Sequence, residues 1–393
     1  MAMISFEEAY GIVLGSAFHA GRERVHFTES LNRVLSCDVT SDIDMPPFNK
    51  ASVDGFACRR SDLDQELDLI ETIPAGKVPE KKVGEKQCSK IMTGAFVPEG
   101  ADCVIMVEDT EILSSGKIRF KGAFAKRNIA EKGEDVKIGD IVLRKGRLIN
   151  PQDIAVMALT GYTSVTVSIM PSVAVISSGS ELVEPSETPG LSQIRNSNSY
   201  QLMAQISRAG ARGRYYGIAR DSEEEMLEMI SMAISENNIL IVTGGVSMGD
   251  FDFVPSVFEK AGVRILFTRV AVQPGKPTTF GVHKKALVFG LPGNPVSSFI
   301  QFEMLVKPLI FRMMECGREE LDIRLPMGKK YTRNDAERMA FIPVVITTDR
   351  KVLPVEFHGS AHISAIPGSD GIISLKVGSK TIEEGEIVNV RQI

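Results

Sequence analysis

The stretch TGGVSMGDFD, residues 243–252, places glycines, a hydroxyl and acids directly after an apolar run. Glycines let a backbone approach a ligand closely, and those of this stretch are Gly244, Gly245 and Gly249. Ser247 adds a hydroxyl, and Asp252 adds a carboxylate that can bind a cation. The loop has no lysine, so it is not a P-loop. Three interpretations stay open: a phosphate site, a metal site or a tight turn.

Acidic residues also follow other β-prone runs of the same region. Glu181 and Asp221 each come shortly after such a run. Because ligands of open α/β sheets bind outside the carboxyl ends of the strands, we expect these acids and Asp252 at one edge. Mg²⁺ is the cation that typically shares one or two carboxylates with a phosphate. Each acid also has an ordinary interpretation, since Asp221 and Glu224 form a helix capping box and Glu181 suits a solvated loop.

A helix start and a lysine loop offer positive charge for an anion. In LPGNPVSSF, Asn294 can cap a helix whose first residue is Pro295. The free N–H groups of such a helix start, with Ser297 in the first turn, suit a phosphate or an oxyanion. Two prolines stiffen the loop around Lys276, which can hold its ammonium group in place. An ordinary capped helix and a solvent-exposed lysine are the alternatives.

These residues lie in a region, 171–316, whose pattern alternates strands with helices. Apolar runs such as SVAVIS and ILIVT are followed by amphipathic stretches of about 10–20 residues. This alternation predicts a mostly parallel sheet with helices on both faces. The last of these helices is predicted to begin at Pro295 and to end near Met314.

The rest of the chain has a different pattern. Residues 5–20 and 28–35 are typical of short helices, whereas 60–145 contains short β-prone runs between turn residues, which predicts a small antiparallel barrel or sheet. The pattern after residue 325 is β again. We therefore predict a multidomain α/β plus β protein with four parts: an extended N-terminal α/β domain (1–45 and 140–170), a small inserted β domain (46–139), a mostly parallel α/β sandwich (171–320) and a C-terminal β-barrel domain (321–393).

Composition excludes several classes of protein. Hydrophobic residues make up 43% and charged residues 24% of the chain, which is typical of a globular protein. The net charge of -5 gives no general affinity for nucleic acid or for an anionic membrane surface. The sequence has no run long enough to cross a bilayer, and its early acids are not typical of a signal peptide. Five scattered cysteines without a CxxC pair predict reduced core thiols in the cytoplasm.

Eight strings of this chain together resemble one known family. They are PPFNKASVDGFACR, IMTGAFVPEGADCVIMVED, GEDVKIGDIVL, AVISSGSEL, RNSNSYQL, TGGVSMGDFD, QPGKPTTFG and GLPGNPVSSF. With these strings in this order, the sequence resembles the molybdopterin molybdenumtransferases, the MoeA family that includes the gephyrin E domain. The resemblance extends from about residue 5 to the C-terminus.

The resemblance implies an activity. Members of this family take adenylylated molybdopterin and molybdate, release AMP and leave the metal on the pterin dithiolene, with Mg²⁺ assisting. Tungstate is an alternative to molybdate, since the two oxyanions are nearly the same size. Members are homodimers whose active cleft lies between the α/β domain of one subunit and parts of the other. The expected partners are thus small molecules, a second subunit and a molybdopterin adenylyltransferase, with no nucleic acid and no membrane.

The resemblance also implies roles for single residues. The implied catalytic acids match acids of the family's motifs and are Asp54, Asp135, Glu181, Asp221 and Asp252. Of these, Asp221 and Asp252 are the implied ligands of Mg²⁺. The implied substrate-binding residues belong to the family's glycine-rich, lysine-loop and LPGNPVS motifs, its TGA motif or its last domain, and are Thr93, Gly244, Gly245, Ser247, Gly249, Lys276, Pro292, Asn294, Pro295, Ser297, Arg338 and Ser360. A second subunit explains how Asp54 and Thr93, remote in sequence, can face the α/β loops.

Three departures from the family's pattern affect the implied site. Ser180 replaces the acid common before Glu181, and Gln273 stands where many members have a first lysine. Pro343 replaces the second arginine of the last domain, which leaves Arg338 as its remaining arginine. Because arginine forks suit tetrahedral oxyanions, the oxyanion site is the part that these changes affect most.

Two other functions stay open on the sequence. Domains of this α/β type also occur in proteins that only bind or adenylylate molybdopterin and in nucleotide pyrophosphatases, and the gephyrin E domain also binds receptor segments as a scaffold. A pyrophosphatase would not need the matching strings before residue 140 and after residue 270. The chain has no long Pro/Ser-rich linker of the kind expected in a dedicated scaffold.

Overall fold

The chain forms two compact units, which we describe one at a time. In the computed structural model the described residues are 2–220, 222–245, 254–317, 322–356 and 359–393. The first unit consists of Met1–Cys37, Lys145–Asn150 and Ser164–Ile393, and the second of Asp38–Arg144 and Pro151–Thr163. The four domain boundaries drawn from the sequence stay predictions.

The centre of the first unit is a six-stranded sheet. In spatial order its strands are Arg212–Ala219, Ser172–Ser178, Ile239–Thr243, Leu287–Leu291, Thr279–Val282 and Arg264–Phe267. The first four are parallel, and the last two are antiparallel to their neighbours. The runs rich in Val, Ile and Leu form the central strands because both of their faces are buried. The predicted mostly parallel sheet is therefore confirmed.

Helices cover both faces of this sheet. Their bounds are Asn198–Arg208, Glu223–Glu236, Val254–Lys260, Pro295–Gln301 and Lys307–Met313. Successive strand residues point to opposite faces, so Val173 packs with Leu202 in one core while Ala174 packs with Ile230 in the other. The predicted helix from Pro295 to about residue 314 is present, but a π-helical turn, Phe302–Val306, interrupts its α-helical geometry.

The helix caps differ from those that the sequence predicts. The cap of the helix Glu223–Glu236 is Ser222, whose hydroxyl accepts the N–H of Glu225 at 3.4 Å. Ser222 therefore occupies the N-cap position that the sequence assigns to Asp221. Asp221 itself lies outside the described residues. Asn294 is at the N-cap position of its helix, but its side chain makes no capping hydrogen bond.

The N-terminal part of the first unit contains one helix, Phe6–Gly15, whose cap Ser5 accepts the N–H of Glu8 at 3.1 Å. The strand Arg22–His26 pairs antiparallel with Ser164–Ser168. The helix predicted for residues 28–35 is wrong. A short 3-10 turn, Phe27–Glu29, is followed by Asn32 at a φ of 62°, a conformation that no α-helix contains.

The C-terminal part of the first unit is all β, as predicted. Its main sheet has, in order, Val272–Gln273, Met339–Ile346, Gly371–Leu375, Ile387–Gln392 and Asp322–Pro326, with Val352–Pro354 paired to the second. A separate pair joins Tyr331–Thr332 to Thr381–Ile382. The strand order is open at both ends, so closure into a barrel stays a prediction. Val272–Gln273 comes from the α/β region and pairs parallel with Met339 and Ala340.

The second unit also has a six-stranded sheet. Its strands are, in order, Cys103–Met106, Gly55–Cys58, Gln87–Ile91, Glu66–Ile73, Ile118–Phe120 and Thr110–Ile112. The sheet is antiparallel except for the parallel pair of Glu66–Ile73 and Gln87–Ile91, so the antiparallel prediction holds with one exception. Outside this sheet are the strand pairs Lys50–Ala51 with Ile129–Ala130 and Val39–Thr40 with Ile141–Leu143, and the helix Pro151–Leu159.

Two findings complete the fold. Within the described part of the chain, every helix is too short or too polar to cross a bilayer. None of the cysteines is in a disulfide, and Cys58, Cys88 and Cys103 are buried, as predicted for core thiols. Cys37 is exposed and Cys316 is half-buried, so that prediction is wrong for these two.

Candidate active site

A cavity of about 710 Å³ lies at the carboxyl ends of the parallel strands. We call it the strand-end cavity. It is formed by the loops that follow three strands, at Gly179–Leu182, Gly244–Gly245 and Pro292–Pro295, together with residues 194–198. The position predicted from the strand pattern is where the cavity lies. Of the sequence-predicted residues, those that line it are Glu181, Gly244, Gly245, Pro292, Asn294 and Pro295.

The two glycines of this cavity allow adjacent loops to pack against each other. A Cβ atom at Gly244 would lie 2.3 Å from the carbonyl oxygen of Ser178, and one at Gly245 would lie 2.9 Å from the Ser178 hydroxyl. The N–H of Gly244 donates to the carbonyl of Leu291 at 3.0 Å. Glycine is therefore needed here so that adjacent strand ends can touch. Ligand binding by Gly244 stays a prediction, and because its N–H is already hydrogen-bonded, the residue would act through the close approach that a missing side chain allows.

Buried asparagines hold the floor of the strand-end cavity. The side-chain amide of Asn198 donates to the hydroxyl of Thr243 at 2.9 Å and to the carbonyl of Gly293 at 2.8 Å. One acceptor is the last residue of a strand and the other lies in the loop after the neighbouring strand, so one buried side chain ties the two strand ends together. Asn196 accepts from the Ser177 hydroxyl at 2.9 Å and donates to Tyr215 at 2.8 Å.

This network continues away from the cavity to an acid. The hydroxyl groups of Tyr215 and Tyr200 donate to the two carboxylate oxygens of Glu184, at 2.7 and 2.8 Å. Burial, followed by the hydrogen bond to Glu184, raises the pKa of Tyr215. Tyr215 therefore stays protonated and donates permanently, which fixes the orientation of the Asn196 amide that it accepts from.

A second cavity, of about 390 Å³, contains basic side chains, and we call it the basic cavity. The described residues that line it include three cations, Lys276, Arg333 and Arg338, and no acid. The predicted residues that line it are Lys276, Pro292, Asn294, Ser297, Arg338 and Ser360. It shares Pro277, Pro292 and Asn294 with the strand-end cavity, so the two cavities are neighbours.

Strand pairing explains why segments remote in sequence meet at the basic cavity. Val272–Gln273 pairs with Met339 and Ala340, which places the loop of Lys276 beside Arg338. The Lys276 carbonyl accepts the N–H groups of Val270 and Thr278, each at 3.0 Å. The predicted rigidity of this loop therefore has a structural basis in its backbone hydrogen bonds.

Ser360 is hydrogen-bonded to the start of the helix Pro295–Gln301. Its carbonyl accepts the N–H of Val296 at 3.0 Å, and its hydroxyl accepts the side-chain amide of Asn294 at 2.8 Å. One of the N–H groups predicted to bind an anion is thus already used by the protein. The contribution of this helix start to the basic cavity comes instead from Ser297, which is buried at its edge.

Arg338 is paired with Asp335. Its guanidinium lies 3.2 Å from the Asp335 carboxylate, and the N–H of Glu337 donates to the same carboxylate at 2.8 Å. The backbone N–H of Glu337, followed by Arg338, lowers the pKa of Asp335. Asp335 is therefore ionised at neutral pH and orients Arg338 from outside the cavity lining.

The second unit contains the remaining predicted residues. Asp54 accepts both the N–H of Thr93 at 2.6 Å and its hydroxyl at 2.8 Å, so this predicted pair is in direct contact. These two hydrogen bonds lower the pKa of Asp54, the backbone one most. Asp135 lies apart from them and lines a cavity of about 840 Å³ together with Lys50 and Arg144.

Several predicted residues lie outside the described chain, namely Asp221, Ser247, Gly249 and Asp252. The described residues contain no group of three or more His, Cys, Asp or Glu that could hold a metal ion. The roles of Asp221 and Asp252 as Mg²⁺ ligands therefore stay predictions. Among the described residues, Glu181 is exposed at the strand-end cavity and supplies carboxylate oxygens, the donor type that Mg²⁺ requires.

Several polar residues of these cavities were not predicted as site residues, among them Asn196, Asn198, Ser177 and Arg333. Asn196 and Asn198 stand in RNSNSYQL, a string used only for the family resemblance, although two asparagines before a helix could have indicated buried hydrogen bonding. Ser177 was included only as part of a strand end. Nothing in the local sequence of Arg333 indicates that it lines the basic cavity.

A mostly parallel α/β sheet with a polar cavity at its strand ends and a basic cavity beside it is typical of a protein that binds a small anionic ligand. Comparison with known families is more specific. Residues 4–161 match the MoeA N-terminal region (domain I and II), and residues 325–393 match the MoeA C-terminal region (domain IV). Residues 174–312, which contain the strand-end cavity loops, match the probable molybdopterin binding domain.

Similar proteins extend over nearly the whole chain. A molybdopterin molybdenumtransferase of Staphylococcus epidermidis is 36% identical over 98% of this chain and 95% of its own length. One from Staphylococcus aureus is 36% identical over 93% of this chain and 90% of its own. A molybdopterin biosynthesis MoeA protein of Pyrococcus horikoshii has a TM-score of 0.87 at 29% identity, covering 100% of both chains. The chain therefore belongs to the MoeA family of molybdopterin molybdenumtransferases, which are transferases of molybdenum cofactor biosynthesis, and the resemblance drawn from eight strings is confirmed.

Proposed function

We propose that this protein inserts molybdate into adenylylated molybdopterin with Mg²⁺-dependent release of AMP. The observation that supports this most is the pair of neighbouring cavities with different chemistry. One is polar and lies at the strand ends, the other is basic and free of acids among its described lining residues, and they share the wall formed by Pro277, Pro292 and Asn294. Two substrates, a phosphorylated pterin and a small oxyanion, can thus be held side by side.

The strand-end cavity is the proposed site of the adenylylated pterin. Its volume of about 710 Å³ is within the range of about 300–1,000 Å³ that is usual for small-molecule sites. Asn198 fixes two of its loops, so its polar wall is formed before the substrate binds. Asp221 and Asp252 are the proposed Mg²⁺ ligands, and when bound the cation supplies positive charge against the pyrophosphate.

The basic cavity is the proposed site of the oxyanion. Lys276 and Arg338 supply positive charge, while Ser297 and Ser360 supply hydroxyl groups. A tetrahedral oxyanion accepts hydrogen bonds from all of these groups, and the absence of an acid among the described lining residues keeps carboxylates out of direct contact with it. Molybdate and tungstate have this shape and charge in common, so either is a candidate substrate.

The second unit has a proposed place in the reaction as well. Asp54 and Asp135, with Thr93, are exposed acids and a hydroxyl that the strand-end cavity itself does not include. We propose that the working enzyme is a homodimer in which these residues of one subunit act at the active site of the other. The further partner that we propose is a molybdopterin adenylyltransferase, which makes the substrate, and the proposed location is the cytoplasm.

The test is AMP release from adenylylated molybdopterin by the purified protein with Mg²⁺, with and without molybdate or tungstate. We expect release that one oxyanion stimulates. Release indifferent to both oxyanions would identify a pyrophosphatase, and no release with tight pterin binding would identify a binding protein or scaffold; either result overturns the proposal.

A single substitution tests the proposed metal ligand. Asp252→Ala should abolish AMP release with little loss of fold, because it removes a carboxylate that holds the cation. Glu224→Ala is the matched control, since it removes an exposed acid near the same sheet edge. Normal release by Asp252→Ala would contradict the assignment.

A further inference from the structure

Arg333 is buried in the wall of the basic cavity, with 8% of its surface exposed. Its guanidinium donates to three backbone carbonyls: Ser379 at 2.9 Å, Arg338 at 2.6 Å and Lys376 at 2.7 Å. These hydrogen bonds use three of its five N–H groups, and the whole fork is held in one orientation. Arg333 is thus among the most firmly fixed side chains around this cavity.

Arg333 makes no direct ion pair among the described residues, and the acid that it acts on electrostatically, Asp335, is itself paired with Arg338. Among the described residues its hydrogen-bond acceptors are all carbonyls, and no carboxylate lies within ion-pair distance of it. Another buried arginine of this unit, Arg33, is paired with Glu23. A buried cation whose hydrogen-bond acceptors are neutral carbonyls, and whose nearby carboxylate is shared with Arg338, can still attract an anion in the adjoining cavity.

Arg333 also fixes the backbone of Arg338. Its hydrogen bond to the Arg338 carbonyl fixes the backbone of that residue, while Asp335 holds the Arg338 guanidinium. Without the Arg333 side chain, the segment between residues 333 and 338 keeps its backbone hydrogen bonds to Gly378 and Lys380 but loses those to the carbonyls of Lys376 and Ser379. Arg338 would then point into the cavity less consistently.

We propose that Arg333 determines the affinity of the basic cavity for the tetrahedral oxyanion, by positioning Arg338 and by supplying a positive charge that no direct ion pair neutralises. This inference rests on the proposed function, in which the oxyanion occupies that cavity. Gln273, which lines the same cavity, is uncharged, so the cations of the described lining are Lys276, Arg338 and Arg333. Arg333 therefore supplies one of three positive charges available to the ligand.

The experiment compares Arg333→Gln and Arg333→Lys with the wild-type protein. Two quantities are measured: the Kd of labelled molybdate in equilibrium dialysis without pterin, and the KM values for molybdate and for adenylylated molybdopterin during AMP release. Arg33→Gln is the matched control, because Arg33 is equally buried but lies outside the lining of this cavity. Thermal unfolding of each variant reports the loss of structure separately.

We expect Arg333→Gln to weaken molybdate binding and raise the KM for molybdate by about tenfold, the effect of losing one charge-assisted contact. Arg333→Lys keeps the charge and should restore part of the affinity, while the KM for adenylylated molybdopterin changes by less than about twofold. A purely structural arginine would lower the unfolding temperature and the active fraction but leave both molybdate constants unchanged. That result overturns the proposal, and if Arg333→Gln does not fold, unchanged constants in Arg333→Lys overturn it equally.

The same experiment separates this proposal from the proposed function. Molybdate binding by the wild-type protein without AMP release would refute the function while still testing Arg333. Normal AMP release with molybdate constants unaffected by Arg333→Gln would refute only the role of Arg333. Absence of any molybdate binding by the wild-type protein would refute both.

Discussion

Gly244 offers a sharp test of how the strand-end cavity is built. An alanine there would place its Cβ 2.3 Å from the carbonyl oxygen of Ser178, and its backbone has a φ of 93°. Gly293 lines the same cavity, but a Cβ there would meet only the Cα of Gly244 at 3.5 Å, an ordinary contact. Gly244→Ala and Gly293→Ala therefore form a matched pair with the same chemical change.

The magnitude follows from two contributions. A positive φ costs an alanine about 1–2 kcal/mol relative to glycine. Moving the Ser178 carbonyl out of contact is an overpacking change, which typically costs about 1–3 kcal/mol. We therefore expect Gly244→Ala to lower the free energy of unfolding by about 3 kcal/mol, and Gly293→Ala to change it by less than about 1 kcal/mol.

Differential scanning calorimetry is the assay, because it can resolve the transition of the unit that contains the cavity. At about 2–4 °C per kcal/mol, Gly244→Ala should lower the midpoint of that transition by about 6–12 °C. The KM for adenylylated molybdopterin should rise with it, since the loops that form the cavity must separate. Equal midpoints for the two alanine variants would refute the reasoning, because only Gly244→Ala forces a backbone atom to move.

Two further predictions concern single hydrogen-bonding groups. Asn198→Ala removes the bonds to Thr243 and Gly293 and should lower the free energy of unfolding by about 2 kcal/mol, measured by the same calorimetry; an unchanged midpoint would show that the two loops need no tie. Thr93→Val removes the hydroxyl bond to Asp54, so the pKa of Asp54 should move up toward its ordinary value of 3.8, as measured by NMR titration of its carboxyl carbon. Because the folded-state pKa of Asp54 is lowered, the stabilisation by this hydrogen bond is present at neutral pH and is lost as the pH falls through that pKa. An Asp54 pKa that does not change in Thr93→Val would contradict the assignment.

The α/β core could be predicted from the sequence because its signals are local. Runs such as Ile239–Thr243 are apolar on both faces, which only a covered parallel strand explains, and the loops after them had to meet at one edge. The position of the strand-end cavity followed from this rule before any side-chain contact was known. The helix predicted for residues 28–35 failed because its pattern was short, and its tertiary surroundings hold Asn32 at a positive φ.

The basic cavity could be predicted only in part. The residues Lys276 and Ser297 stand in recognisable strings, whereas Arg338 and Ser360 reach them through strand pairing and a hydrogen bond between segments far apart in sequence. The local sequence gives no indication that Arg333 lines this cavity. Its three hydrogen-bond acceptors lie on two loops, and these loops come together only when the whole C-terminal part is folded. Asn294 was expected to cap its own helix, but its side chain donates to Ser360, a partner from a segment far along the chain.

The proposed function requires that metal is transferred to the pterin when the strand-end cavity and the basic cavity are both filled. The most direct measurement is activation of an apo-molybdoenzyme by the product formed from adenylylated molybdopterin, molybdate and Mg²⁺, with the wild-type protein and with Arg338→Ala in parallel. We predict activation by the wild-type product, and a requirement for about tenfold more molybdate with Arg338→Ala. AMP release that yields a pterin unable to activate the apo-enzyme, at any molybdate concentration, would contradict the account.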